Sequence, residues 1–173
     1  MSRSPLPFDN FTNSMKNNWP DPYSSLILLF PRLEKISEYI AFHIATLMEE
    51  HDLLESDFHV LTAIRRSKKS PPFELKPSEI CEYMLVSWGG LNKIMNRLEK
   101  KNLICRVASD QDKRISMARL TPFGDQFTKD AVDKIQQHRQ AFLSDFDSDE
   151  IQQLNKLTTK LLNNIESYHS DSD

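Results

Sequence analysis

The chain has 173 residues and three glycines, where average usage of about 7% gives roughly 12 in such a length. Gly-rich phosphate cradles need glycine wherever backbone approaches a pyrophosphate or takes positive φ, so neither a dinucleotide fingerprint nor a P-loop can be written here. The net charge of −3, 39% hydrophobic content and 27% charged content are ordinary for a globular protein, and the length suits one domain with extensions.

Cys81 and Cys105 form no C-x-x-C pair. His43, His51, His59, His138 and His169 form no H-E-x-x-H and no cluster with cysteine, so neither a metal site nor a cofactor is expected. No Ser/His/Asp, Cys/His or paired-carboxylate spacing rises above chance, and an enzyme is not expected. The longest apolar run, Leu26 to Phe30, stops at Pro31, far short of the ~20 residues that span a bilayer. With no secretory leader pattern either, the reading is a cytoplasmic protein without a membrane partner.

Pro5, Pro7, Pro20 and Pro22 predict an irregular arm over residues 1–22, with at most one helical turn between Phe11 and Trp19. Over 23–55, Leu26, Leu29, Leu33, Ile36, Ile40, Ile44 and Leu47 recur in steps of three and four, one face of a helix that Pro31 should kink or restart. A short helix capped by Ser56 turns Phe58, Leu61 and Ile64 or Val60 inward, and residues 68–74 with Pro71 and Pro72 read as a loop. Pro77 opens a helix to about Leu85 that buries Ile80, Cys81 and Met84. Ser87 then caps a helix from Trp88 to Lys101 with Leu91, Ile94, Met95 and Leu98 as its buried stripe. Asn102, tolerant of the left-handed conformation, ends it. Residues 104–107 and 115–120 read as two strands joined by a polar tip over 109–114. Thr121 and Pro122 start a helix with Phe127, Ala131, Ile135, Phe142 and Phe146 on its apolar face. A last helix from Ser148 carries Ile151, Leu154, Leu157, Leu161, Ile165 and Tyr168.

The expected fold is mainly α with a small β-hairpin wing, a winged helix-turn-helix over 56–121 flanked by helical segments over 23–55 and 122–173. Charge falls where that fold needs it. Residues 87–120 carry a local +5, while 1–86 sum to −3 and 121–173 to −5, a footprint suited to a phosphate-binding surface on double-stranded DNA. Opposite the buried stripe of the helix from Trp88 lie Gly89, Lys93, Asn96 and Lys100, with Asn92 and Arg97 on the flanks. Asn92 and Lys93, nearer the N-terminus, suit base edges; Asn96, Arg97 and Lys100 suit phosphates. Trp88 suits a thymine methyl or the core. At the wing tip Lys113 and Arg114 can reach a minor groove, with Asp112 bracing Arg114. Two glycines in one helical turn, Gly89 and Gly90, imply close approach either to phosphate or between helices.

The segments FHVLTAIRRS, LKPSEICEYMLVSWGGLNKIMNRLEKKNLICR, SDQDKRI and LTPFG resemble the MarR family of winged-helix regulators. That resemblance implies a homodimer, interlocked through its terminal helices, that represses at a pseudopalindrome and is released by a small, often aromatic and acidic, effector. Within it, W-P-D near the start, the Pro-Pro loop and Ser-x-Gly-Gly resemble a urate-responsive branch. There a tryptophan, an acidic residue and an arginine seven positions later contribute to a ligand pocket. Trp19 and Arg66 match, and His59 stands at the acidic position, which argues against urate itself. Trp19 can equally anchor the arm, and Arg66 can be a surface residue. Two other readings stay open: a winged-helix protein-interaction module without DNA binding, and a redox-sensing regulator acting through Cys81 or Cys105.

Overall fold

The computed structural model describes residues 5–19, 28–84, 87–109 and 113–170. They form helices α1 (Phe8–Asn18), α2 (Leu29–Glu49), α3 (Glu55–Arg65), α4 (Pro77–Met84), α5 (Trp88–Lys100), α6 (Pro122–Phe142) and α7 (Ser148–Ser170), with strands β1 (Glu74–Leu75), β2 (Ile104–Ala108) and β3 (Ser116–Leu120). The chain divides into two compact units at Val132, within α6. The first holds the arm, α2 and all the winged-helix elements; the second holds the rest of α6 and α7.

In the first unit α3 is the hub, packed against α2, α4, α5 and the sheet. Val60, Leu61 and Ile64 of α3 share a core with Met48, Ile80, Leu91, Met95, Leu98 and Ile104, all essentially closed to solvent. Both Val60 and Ile64 point inward, because a short helix walled on several sides needs more than one apolar stripe. The sheet is antiparallel in the order β1-β3-β2, with Glu74 opposite Arg119 and Cys105 opposite the same residue on the other side.

The structure corrects several sequence expectations. The described part of the arm is largely helical: Phe8 to Asn18 makes three helical turns, with Pro7 as its N-cap, a place proline tolerates because it needs no N–H there. The expected loop over 68–74 ends in β1, too short for an alternation to betray it. Helix α3 begins at Glu55, not behind a Ser56 cap; the carboxylate of Asp57 accepts the Leu54 N–H at 2.7 Å instead. In α4 Ile80 is buried, while Cys81 and Met84 are only half-buried. Pro31 lies in the first turn of α2 and does not kink its interior.

Two junctions fix the wing relative to α5. Asn102 takes φ 56°, and the Asn102 and Leu103 N–H groups donate to the carbonyls of Glu99 and Leu98, each at 2.9 Å. That is a Schellman close with asparagine in the left-handed position usually held by glycine. The chain then returns: the Thr121 N–H donates to the Leu103 carbonyl at 3.1 Å, and Thr121 Oγ1 caps α6 by accepting the Gly124 N–H at 2.9 Å. A β-carbon on Gly124 would stand 1.8 Å from the Leu103 carbonyl oxygen. Glycine is required there by backbone proximity.

Across β1 and β3, Arg119 Nε donates to Glu74 at 2.7 Å, and Lys68 Nζ adds a contact at 3.1 Å. Burial pushes the Glu74 carboxyl up, but the hydrogen bonds from Arg119 and Lys68 together outweigh it and hold the carboxyl below its usual value. The second unit is held by its own capping box: Asp147 accepts the Glu150 N–H at 2.8 Å and Glu150 accepts the Asp147 N–H at 3.0 Å.

Gly124→Ala is expected to destabilise the protein by about 3 kcal/mol, the range of overpacking against an unyielding neighbour, read as a fall in melting temperature. Glu74 has a lowered folded pKa, so its contribution is present above the unfolded carboxylate value, about 4.3, and disappears as pH falls through the folded value. Glu74→Gln is therefore expected to be less stable than wild type in urea at pH 7, with the gap closing in acid.

Candidate nucleic-acid interface

Helix α5 buries Leu91, Ile94, Met95 and Leu98, as the periodicity requires. Ser87 Oγ caps it by accepting the Gly90 N–H at 3.2 Å. On the opposite face Gly89, Lys93, Asn96 and Lys100 are exposed in one line, with Asn92 half-buried beside them. Trp88 is not in the core: its side chain is 56% exposed at the start of the helix. Among the described residues Lys93 and Lys100 have no ion-pair partner, so their charge faces outward. Nothing in the described chain lies within 4 Å of where a Gly89 β-carbon would stand, and Gly90 would meet only Ser87 Oγ at 3.4 Å. Among the described residues, packing between helices does not explain the glycine pair.

Arg97, expected at phosphates, makes an ion pair within the lobe. Its Nε and Nη2 donate to the two carboxylate oxygens of Asp57 at 2.6 and 2.8 Å, a two-pronged ion pair between α5 and α3. Asp57 is fully buried, while the Arg97 side chain is 29% exposed. The hydrogen bond to Asp57 raises the Arg97 pKa above its usual value against a smaller opposing effect of burial. A buried carboxylate must be paired to be tolerated. Arg97, on the flank between buried and exposed faces, has the planar fork that supplies two parallel bonds.

A second polar connection ties α5 to the wing. Arg106 of β2 donates from Nε to Glu99 at 3.0 Å and from Nη2 to Asn96 Oδ1 at 2.8 Å. At the wing, Ser109 N–H to the Ile115 carbonyl at 2.8 Å closes the base of the hairpin, and Lys113 and Arg114 are exposed beyond it. Asp112, expected to brace Arg114, lies outside the described residues.

Residues 51–115 match the model of the MarR family. Over 145 residues the chain is 23% identical to the HTH-type transcriptional regulator PecS of Dickeya dadantii, covering 84% of this chain and 86% of that protein. Among solved structures, YusO from Bacillus subtilis superposes with a TM-score of 0.62 at 26% identity, covering 82% of this chain and 99% of that one. A cysteine-to-serine mutant of MarR from E. coli, complexed with operator DNA, superposes with a TM-score of 0.65 at 22% identity over 82% of this chain and 99% of its own. The winged-helix architecture is that of these MarR structures.

Three residues, Trp19, His59 and Arg66, are those the sequence offers for a ligand pocket. Trp19 is exposed at the end of α1. His59 faces Glu55 at 3.2 Å, and the Arg66 guanidinium lies 5.9 Å from the Tyr83 ring. A separate cavity of 240 Å³ is lined by His51, Leu53, Lys101, Leu103, Phe123 and Phe127. Its walls come from the α2–α3 corner, the end of α5, the start of β2 and the first turns of α6, so it abuts the C-terminal end of the exposed basic helix. Sequence periodicity could not find it, because its lining is drawn from three separate stretches. Among the described residues no group of His, Cys, Asp and Glu could hold a metal, and no helix is long and apolar enough to cross a membrane.

Arg97→Met leaves Asp57 buried and uncompensated, and is expected to cost about 3 kcal/mol in urea unfolding, the lower end for a broken buried pair because Arg97 is partly exposed. Adding Asp57→Asn should recover part of the loss. A change within about 0.5 kcal/mol, usual for a surface cation, would contradict the clamp.

Proposed function

We propose that the chain is a sequence-specific transcriptional regulator, a repressor, that binds a pseudopalindromic operator in double-stranded DNA as a homodimer and releases it on binding a small aromatic or anionic effector. The observation that carries this reading is the exposed line of Gly89, Lys93, Asn96 and Lys100 on a helix whose other face is locked into the core. Asn92 and Lys93 would meet base edges, and Ser87 and Lys100 the phosphates that set the register. The bare Gly89 surface would let the helix N-terminus come close to the backbone, with Trp88 against a thymine methyl. Lys113 and Arg114 would enter the neighbouring minor groove. The operator complex formed by E. coli MarR and the resemblance to PecS support the same reading.

A second copy of the chain is the partner suited to the remaining apolar surface. Leu154, Leu157, Ile165 and Tyr168 of α7 and Leu29, Phe30 and Ile36 of α2 are exposed, more apolar side chains than a lone soluble helix displays. Two such lobes would place their α5 helices one DNA turn apart, ~34 Å.

The cavity beside Lys101 supports an effector with one aromatic ring and an acid group. Leu53, Leu103, Phe123 and Phe127 offer the ring an apolar wall, and Lys101, whose other partner is the exposed Asp52 carboxylate at 3.4 Å, offers a cation. Trp19, His59 and Arg66 form no part of that lining. A ligand there would act on the end of α5 and the root of the wing together, shifting the population of lobes spaced to fit DNA.

The test is titration of the protein onto duplexes selected from a random pool, at several salt concentrations. Specific binding should weaken steeply with salt. Lys100→Ala should lower affinity across all sequences and reduce the salt slope by about one. Affinity indifferent to salt, or no preference over random duplex, would refute the reading.

A further inference from the structure

We propose that Arg106, a residue of the wing strand and not of the reading helix, sets the base preference of Asn96, selecting guanine over adenine. The inference rests on the DNA-binding reading above and goes beyond it to one specificity-determining contact. Arginine carries only donors, so the amide atom that sits 2.8 Å from Arg106 Nη2 is necessarily the carbonyl oxygen Oδ1 of Asn96. The rest of the Arg106 fork is held by Glu99 at 3.0 Å, one turn further along the same helix. Arg106 is itself held in β2 by the pairing of Arg106 with Ala118 in β3. The orientation of the amide is thus enforced from outside α5.

Asparagine reads adenine with both ends of its amide, accepting from N6–H2 and donating to N7. Arg106 fills one of the two lone pairs of Oδ1 and sets a cation beside it, so a further donor is disfavoured there and the amide offers chiefly the two hydrogens of Nδ2. A group that chiefly donates matches guanine, whose O6 and N7 both accept, and opposes adenine, whose N6–H2 also donates. Asn96 occupies the middle of the exposed line, between Lys93 and Lys100. In a helix laid in the major groove the middle of that row comes against base edges. Distance from the helix N-terminus alone would send Asn96 to phosphate. The engaged carbonyl gives it a narrower chemistry.

The experiment is selection and sequencing of bound duplexes from a random pool with full-length wild type, Arg106→Met and Asn96→Ala, with melting curves to establish that each is folded. Wild type should favour guanine over adenine by about tenfold at one position of each half-site. Arg106→Met, which keeps the aliphatic stem and frees Oδ1, should lose that preference or turn it toward adenine, and Asn96→Ala should lose it at the same position. Should Arg106→Met fail to fold, 7-deazaguanine at that position of the selected duplex serves instead. It should weaken wild type and leave Asn96→Ala unchanged. An unaltered base profile in Arg106→Met, with affinity lowered evenly across sequences, would overturn the inference while leaving DNA binding intact. Equal weakening of wild type and Asn96→Ala by 7-deazaguanine would do the same. No enriched duplex for wild type would overturn the DNA-binding reading itself and this inference with it.

Discussion

A single buried carboxylate organises the winged-helix lobe. Asp57 accepts three hydrogen bonds: one from the Leu54 N–H, which caps α3, and two from Arg97 of α5. A carboxylate withdrawn from water costs several kcal/mol unless its oxygens are filled, so α5 can settle only where the guanidinium fork meets both of them. Apolar packing of Leu91, Met95 and Leu98 decides which face of α5 is buried. The ion pair adds direction, which non-directional burial cannot supply. Position along α3 and rotation of α5 follow from one contact between residues forty apart in sequence.

From that contact the outward chemistry follows. Once Arg97 is committed inward, the cations left on the face of α5 are Lys93 and Lys100, flexible point charges suited to phosphate and base acceptors. The Schellman close at Asn102 and the tight return of Thr121 and Gly124 against Leu103 tie the end of α5 to the wing and to α6. Arg106 repeats the logic at the surface, gripping Asn96 and Glu99 from the neighbouring strand. Helix α5 is thus held by α3 through Arg97 and by β2 through Arg106. Residues 87–120 carry a net +5 along the chain, between segments of −3 and −5.

How far this was legible in the sequence depended on the range of the interaction involved. Local rules worked: the Ser87 cap, the Asn102 close, the Thr121-Pro122 start and the apolar stripe of α5 are set by neighbours within a turn. Long-range pairings did not show. A helical wheel places Arg97 on a flank and cannot reveal that Asp57 waits for it; the only local signal was an acid at the third position of α3, which pointed to a cap better than Ser56 did. The need for glycine at position 124 arises from the Leu103 carbonyl, 21 residues away and invisible to periodicity. Strand β1 exists because β3 offers it an edge, and α1 starts behind Pro7, which bounds the helix without entering it. The amide orientation of Asn96 depends on a strand that follows the helix, and only coordinates reveal it.

The central claim is that the middle of the exposed line on α5, Lys93 and Asn96, lies against base edges in the major groove. Dimethyl sulfate methylates guanine N7, which opens into that groove, so protection of N7 on a bound, selected duplex reports the contact directly. Two clusters of protected guanines about one helical turn apart, lost when Lys93 and Asn96 are both replaced by alanine, are the predicted result. A bound duplex whose guanines all stay reactive at N7 would contradict the account.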